Sequence, residues 1–163
     1  MDQKTFLTTY LDDFSTLVKP EEKTVEKLME ISDLLLAVHK GSNNTLIFGN
    51  GGSAAIASHF SVDIIKNAKL QCVNFNEADL ITCFSNDYGY ERWVEKAVDF
   101  YGDEGDLLVV ISSSGSSENI LNGVRAARKG NFRAVVTLSG FAPDNPLRQM
   151  GDINLWIDSK AYN

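Results

Sequence analysis

The run Leu107-Leu108-Val109-Val110-Ile111 limits the possible folds of this chain more than any other segment. It contains five consecutive apolar residues, three of them β-branched, between an acidic turn at 103–106 and a group of serines. A run of this length and composition predicts a strand that is buried on both faces. Such strands occur in parallel sheets with helices packed on both sides. Four further segments predict strands, at 45–48, 70–75, 133–138 and 153–157.

Segments with helical spacing of apolar residues alternate with these strands. They cover 54–66, 91–100, 118–129 and a short stretch at 143–150, whereas 78–90 fits either a helix or a loop. Strands and helices that alternate through short connections predict an α/β fold, a three-layer α-β-α sandwich with a five-stranded parallel sheet of the flavodoxin-like type.

Two helices are predicted before the first strand. Apolar residues recur with helical spacing over 7–18 and again over 28–38. Pro20 interrupts the first pattern and suits the first turn of the second helix, where its missing N–H costs nothing. The chain therefore opens with a helical pair before the α/β part begins.

The length of 163 residues suits a single domain, 1–163, with a helical segment at 1–41 and an α/β core at 44–157. The formal net charge of −7 gives no general attraction for phosphodiester backbones, so nucleic acid is not expected as a partner. An anionic ligand would have to be held by local dipoles and hydroxyls. No apolar segment approaches the roughly 20 residues of a membrane span, and no leader pattern opens the chain, so no membrane partner and a cytoplasmic location are expected.

Some side chains are assigned to the interior from their apolar surroundings. Cys72 and Cys83 are expected to be buried, and their spacing suggests neither a structural zinc nor a redox pair. Trp93, Phe100 and Trp156 are also expected in the core.

Two turns rich in glycine and serine follow predicted strands. Gly49-Asn50-Gly51-Gly52-Ser53 follows the first strand, and Ser112-Ser113-Ser114-Gly115-Ser116-Ser117 follows the third, with five hydroxyls in six residues. Ligands of open parallel sheets bind at the carboxyl ends of the strands, and the helix that follows each turn favours an anion at its N-terminus. A serine cap or a glycine turn explains either segment alone. Together they predict a phosphate-binding site without lysine or arginine.

A dinucleotide-binding site is the alternative to a phosphate-binding site at the first turn. Residues 49–54 fit the pattern GxGxxA, and Glu77 lies near the distance expected for a ribose-binding acid. Short glycine patterns arise easily, and this interpretation leaves the second serine turn unexplained. No nucleotide cofactor is therefore expected.

Two polar groups outside the turns are candidates for chemistry. His59 and Asp63 are four residues apart on the predicted helix, so they share a face and could hold a divalent metal or transfer a proton. A hydrogen bond on the helix surface is the ordinary alternative. Asn86 and Asp87 lie in a polar segment that could equally be a plain turn.

Five sequence pieces occur in order along the chain: Gly49-Asn50-Gly51-Gly52-Ser53-Ala54, His59-Phe60, Ser85-Asn86-Asp87-Tyr88-Gly89-Tyr90, Gly105-Asp106-Leu107-Leu108 and Ile111-Ser112-Ser113-Ser114-Gly115-Ser116-Ser117. In order and spacing this set resembles the sugar isomerase (SIS) domain family across 5–157. The Asn-Asp-Tyr-Gly-Tyr piece is most similar to the phosphoheptose isomerase branch of that family.

The resemblance implies aldose–ketose isomerisation of a phosphorylated sugar, most specifically of sedoheptulose 7-phosphate, for the synthesis of heptose-containing surface polysaccharide such as lipopolysaccharide or capsule. It implies a homotetramer in which the helical segment 1–41 packs between subunits. Its phosphate-binding residues would be Ser53, Ser112, Ser113, Ser114 and Ser117. Its sugar contacts would be Asn50, Gly51, Gly52, Asn86 and Asp87.

His59 and Asp63 match the positions of the family's zinc-ligand pair, so Zn²⁺ is an implied cofactor and both residues are catalytic candidates. The family has glutamate, which also serves as the proton-transfer base, where this chain has Asp63. The family continues into a C-terminal helix with a glutamine and a catalytic, zinc-binding histidine. The chain stops at Asn163, so either the chain is a fragment or that helix is absent. A non-catalytic sugar-phosphate-binding or regulatory SIS protein is therefore the alternative to an isomerase.

Overall fold

The computed structural model describes residues 2–159, and it has the predicted α/β architecture. Short one-turn helices also occur at 64–68 and 90–92. The principal elements are α1 (Gln3–Leu17), α2 (Glu22–Lys40), β1 (Thr45–Gly49), α3 (Gly52–Asp63), β2 (Cys72–Asn74), α4 (Ala78–Tyr88), α5 (Trp93–Tyr101), β3 (Leu107–Ser112), α6 (Glu118–Lys129), β4 (Ala134–Ser139), α7 (Pro146–Met150) and β5 (Ile153–Trp156).

The five strands form one parallel sheet in the order β2-β1-β3-β4-β5. This is the flavodoxin-like order, in which the chain builds outward from β1 to β2 and then returns to the other side of β1. The strand order reverses between β1 and β3, and the crevice at that point is the usual ligand site of such sheets.

Helices cover both faces of the sheet, which makes three layers. Alternate residues of each central strand enter two separate cores because successive side chains point to opposite faces. Leu108 and Val110 pack under α5, α6 and α7, whereas Leu107 and Val109 pack with α2 and α3. Every residue of β3 is buried, as its continuous apolar run predicts.

Helix α1 buries none of its residues. Its apolar stripe stays exposed, with side chains such as Leu11 and Phe14 at 60% and 53% of their maximum. A helix of this length is marginal in isolation and is stabilised mainly by packing of its apolar face. The stripe of α1 is therefore not stabilised by packing within residues 2–159.

Several details differ from the sequence predictions. Pro20 lies before α2, which begins at Glu22, so it is outside the first helical turn. Cys83 is exposed because the apolar face of α4 that packs on the core is formed by Leu80, Ile81 and Phe84. Phe100 is 58% exposed, at the surface against the ring of Phe84.

The segment 78–90, which the sequence left open, is helical up to Tyr88. Helix α3 ends at Asp63 and continues into a π-helical turn at 64–68, closed by Lys69 in the left-handed conformation. Trp93 is in the core as predicted, whereas Trp156 is only partly buried. The prediction about a further C-terminal helix concerns positions outside the described residues.

Asp152 ties the start of β4 to α6, and this contact predicts a pH-dependent contribution to stability. Its Oδ2 accepts from the backbone N–H of Val135 at 2.7 Å and pairs with Arg128 Nη1 at 2.8 Å. Partial burial raises the pKa of Asp152, but the hydrogen bonds from Arg128 and Val135 outweigh burial and hold the pKa below its ordinary value.

We expect Asp152→Asn to lower the free energy of unfolding at neutral pH by no more than about 1 kcal/mol, because the pair is partly solvent-exposed. A carboxyl with a lowered folded pKa stabilises the protein above its ordinary pKa of about 3.9. The difference between the two proteins should therefore shrink as the pH falls below that value. Urea unfolding at a series of pH values measures it, and Asp144→Asn, an exposed aspartate nearby, is the control. A difference that grows on acidification would contradict the assignment.

Candidate active site

The turns after β1 and β3 face each other across a cavity of about 440 Å³. The cavity lies at the reversal of the strand order. It is lined by Asn50, Gly51, Gly52, Ser53, Ile56, Ile111, Ser112, Ser113, Ser114 and Ser117. The structure thus brings together eight of the sequence-predicted site residues, and no lysine or arginine is among the residues that line this cavity.

The first turn is shaped by glycine. Gly51 has φ +54°, in the left-handed region, and precedes the first residue of α3. A Cβ on Gly49 would lie 2.5 Å from the backbone carbon of Ser53, so the strand end and the helix start approach closely only with glycine there. This approach directs the N-terminus of the twelve-residue helix α3 toward the cavity.

The second turn offers hydroxyls that its helix does not use. Ser117 occupies the N-cap position of α6 but makes no side-chain cap hydrogen bond. Instead its Oγ accepts from Ser112 Oγ at 3.3 Å, and Ser114 Oγ accepts from the backbone N–H of Ser116 at 3.3 Å. Helix capping therefore does not explain this run of serines, and the two contacts leave the hydroxyl donors of Ser114 and Ser117 unused.

The second turn is supported from below by α7. Gly115 has φ +63°, and a Cβ there would collide with Asn145. The backbone C=O of Gly115 accepts from the N–H of Leu147 at 2.9 Å. Asn145, only 3% exposed, also donates to Ser139 Oγ at 3.1 Å and accepts from Arg148 N at 2.9 Å. The shape of the serine turn is thus fixed by buried contacts.

Asn50 connects the two turns through a pair of side-chain amides. Its Nδ2 donates to Asn119 Oδ1 at 3.0 Å, and its Oδ1 accepts from Asn119 Nδ2 at 2.9 Å. Asn50 Oδ1 also accepts from the hydroxyl of Tyr90 at 3.2 Å. Asn119 belongs to α6 and is 3% exposed.

His59 and Asp63 share one face of α3, as predicted, but neither lines the cavity. His59 Nε2 and Asp63 Oδ2 are 3.6 Å apart, with the side chains 79% and 53% exposed. Asp63 Oδ1 also accepts from Asn67 Nδ2 at 3.2 Å. Ile56, which does line the cavity, precedes His59 by three residues and Asp63 by seven, so the pair lies on the same stripe of the helix.

His59 and Asp63 are two potential zinc ligands. Catalytic zinc generally has three protein ligands, and structural zinc has four. Within residues 2–159, no group of three or more His, Cys, Asp or Glu side chains could hold a metal ion. His59 and Asp63 by themselves are therefore incomplete as a metal site.

Asn86 and Asp87 lie near the end of α4, exposed and outside the cavity lining, so the segment is a helix end rather than a plain turn. Asn86 Nδ2 donates to Asp87 Oδ1 at 2.9 Å. Tyr90, a few residues further on, connects this segment to Asn50. Glu77, the acid of the dinucleotide interpretation, does not line the cavity either.

Ile56, Tyr90 and Asn119 contribute to this site but were not predicted from the sequence as site residues. Asn119 offered a signal, because it is a polar residue directly before the buried Ile120 and Leu121 of α6. A polar side chain on the core face of a helix requires a hydrogen-bond partner in the interior.

A profile of the SIS domain matches residues 9–140, and the chain belongs to the SIS domain family.

Relatives within that family specify the branch. The chain is similar to the phosphoheptose isomerase of Aliarcobacter butzleri, 32% identical over 88% of this chain and 78% of the relative. It is 30% identical to the phosphoheptose isomerase of Fusobacterium nucleatum, over 95% of this chain and 82% of the relative. The solved phosphoheptose isomerase of Neisseria gonorrhoeae aligns with a TM-score of 0.89 at 28% identity, covering 99% of this chain and 90% of that one. The chain is thus an isomerase of the phosphoheptose isomerase branch.

None of the helices within residues 2–159 is both long enough and apolar enough to cross a membrane.

Proposed function

We propose that this protein isomerises sedoheptulose 7-phosphate to an aldose heptose 7-phosphate, the step that supplies heptose for a surface polysaccharide such as lipopolysaccharide or capsule. The observation that carries the proposal is the cavity between the glycine-rich turn after β1 and the serine-rich turn after β3, at the reversal of the strand order. The names of the relatives specify a phosphorylated heptose as substrate.

The phosphate end of the substrate binds first in this scheme. Two helix N-termini, those of α3 and α6, meet the cavity, and each favours an anion. The hydroxyls of Ser53, Ser112, Ser113, Ser114 and Ser117 donate hydrogen bonds to phosphate oxygens. Gly51 and Gly52 carry no side chain, so the sugar approaches the backbone, and Asn50, Asn86 and Asp87 contact its hydroxyls.

The reaction exchanges a carbonyl and a hydroxyl on neighbouring carbons. A base takes the proton from the carbon that bears the hydroxyl, the electron pair forms the carbon–carbon double bond of an enediolate, and the carbonyl oxygen gains the charge and then a proton. The other enediol hydroxyl loses its proton while the former carbonyl carbon gains one. We assign the base to Asp63, on the stripe that leads away from the cavity, with His59 orienting it.

A zinc ion at His59 and Asp63 is a further part of the proposal. Because these two side chains are incomplete as a metal site, the third ligand would come from outside residues 2–159 or from another copy of the chain. When bound, a zinc ion would polarise the substrate carbonyl. The steps assigned to the serine turns do not depend on it.

We also propose that the protein is a cytoplasmic homotetramer. The support is the exposed apolar stripe of α1, continued by exposed Val25, Leu28 and Met29 of α2. Exposed apolar areas of this extent mark protein–protein contact sites, and the two helices offer the same surface on every copy.

Introducing charge into the stripe of α1 tests the assembly. We expect Leu11→Asp together with Phe14→Asp to convert the tetramer into smaller species, because the two carboxylates would be buried unpaired at the interface. Sedimentation velocity measures the change. Thr9→Asp, on the same helix outside the stripe, is the control and should remain tetrameric. A double variant that sediments like the unaltered protein would contradict a role for α1 in assembly.

Turnover tests the function itself. The purified protein is incubated with sedoheptulose 7-phosphate, with and without added zinc, and the appearance of the aldose is followed by proton NMR. Incorporation of solvent deuterium next to the carbonyl would show the proton transfer. Binding of the ester without turnover under either condition would favour the alternative, a non-catalytic sugar-phosphate-binding or regulatory protein. Absence of binding would contradict both.

A further inference from the structure

The side-chain amide of Asn50 has only one hydrogen-bonding position left for a ligand. A primary amide has two N–H donors and an oxygen with two lone pairs. Asn119 takes one donor and one lone pair of Asn50, at 3.0 and 2.9 Å, and the Tyr90 hydroxyl takes the second lone pair at 3.2 Å. Because Asn50 lines the cavity, its remaining N–H is the one polar atom of this side chain that a ligand can use.

The partner that fixes this orientation is buried. Asn119 is 3% exposed at the start of α6, directly after the serine turn. Rotation of the Asn50 amide by half a turn would set oxygen against oxygen and nitrogen against nitrogen in the pair. Buried polar groups left unpaired in that way are costly, so the Asn50 amide does not turn independently of Asn119.

We propose that Asn119, assisted by Tyr90, is a positioning residue that holds Asn50 as a hydrogen-bond donor to an oxygen of the sugar. The inference rests on the proposed function, because it concerns the sugar part of the same substrate. Asn119 itself does not touch the ligand, since it does not line the cavity. The turns after β1 and β3 recognise the phosphate, and the amide of Asn50 recognises the sugar.

The test compares two ligands, sedoheptulose 7-phosphate and inorganic phosphate, by calorimetry on the whole protein. In Asn119→Asp the carboxylate still accepts from Asn50 Nδ2 but no longer donates to Asn50 Oδ1. It also attracts the second N–H of Asn50 away from the cavity. The added carboxylate repels both anions, so the comparison is between the two ligands: we expect the Kd of the sugar phosphate to rise about tenfold more than the Kd of phosphate, the cost of one hydrogen bond.

Kinetics separate positioning from a structural role. KM should rise about tenfold with kcat nearly unchanged, the pattern of a lost contact that ground state and transition state share. Tyr90→Phe is the second variant, because Tyr90 is exposed and its loss leaves folding intact even if Asn119→Asp unfolds. Tyr90→Phe should raise both the Kd of the sugar phosphate and KM, by a smaller factor. Asn154→Asp, which alters an asparagine bonded to Thr137 away from the cavity, should change neither.

The outcomes distinguish failure of the positioning role of Asn119 from failure of the proposed function. If the Kd of phosphate and the Kd of the sugar phosphate rise by the same factor, the amide pair gives the sugar no separate contact, and the inference is overturned. Unaltered KM in both Asn119→Asp and Tyr90→Phe would overturn it as well. If the unaltered protein fails to bind sedoheptulose 7-phosphate, the proposed function is contradicted, and the positioning role of Asn119 is contradicted with it.

Discussion

Replacing Ser112 and Ser114 together by alanine is expected to weaken binding of sedoheptulose 7-phosphate at least about 100-fold. Each hydrogen bond to a charged group is worth about 1.5–3 kcal/mol, and the variant removes two such donors from the cavity. The lining of the cavity contains no cation that could compensate. Calorimetric titration of the ester into the purified variant measures the loss.

The control for this variant comes from the same turn. Ser116 is exposed, does not line the cavity and contributes only its backbone N–H to the turn, so Ser116→Ala should bind the ester with unaltered affinity. The melting temperatures of all proteins should stay close, since the replaced hydroxyls lie at a cavity rather than in the apolar core. Retained affinity in the Ser112 and Ser114 double variant would show that the phosphate binds elsewhere.

Asp63→Asn should lower kcat by about 100-fold to 10,000-fold, the usual contribution of a general base. An amide has nearly the same shape as the carboxylate but cannot accept a proton at neutral pH. KM should change little, because Asp63 is outside the cavity lining that holds the phosphate. Initial rates of isomerisation over a range of substrate concentrations give both parameters.

Asp63→Glu is the matched variant for the base. It restores a carboxylate, one methylene longer, at the position where the resembling family has glutamate. We expect it to keep activity within about tenfold of the unaltered enzyme, since misplacement by about 1 Å can cost up to 100-fold but the residue returns to the family's reach. If Asp63→Asn turned over as fast as the unaltered protein, the base would have to be another group.

The positions of the two turns were predictable from the sequence because their strands are unambiguous. A fully buried parallel strand must be apolar on both faces, so Leu107–Ile111 identified β3. Parallel strands direct all their carboxyl ends to one edge, so glycine and serine after β1 and β3 meet there. These inferences need only local composition and a general rule of topology.

The Asn50–Asn119 pair could not be predicted in the same way. The two residues are 69 positions apart, and their contact depends on how α6 is placed relative to the first turn. Asn86 and Asp87 show the same limit. Their sequence suits a turn, but packing of Phe84 against the core keeps 78–88 helical, because tertiary contacts outweigh local propensity.

Burial of single side chains was predicted correctly for Cys72 and Trp93 but not for Cys83 and Phe100. Cys83 and Phe100 lie in apolar contexts, yet each lies on the outer side of its helix. In α5, the helix of Phe100, the inner side is filled by neighbours such as Val94 and Ala97. A local apolar context therefore does not show which side of a helix faces the core.

A crystal structure of the protein with bound sedoheptulose 7-phosphate tests the central claim most directly. The account predicts phosphate oxygens within hydrogen-bonding distance of hydroxyls from both turns, Ser53 on one side and Ser112, Ser114 and Ser117 on the other, with no lysine or arginine in contact. A phosphate held by one turn alone, or paired with a lysine or arginine side chain, would contradict it.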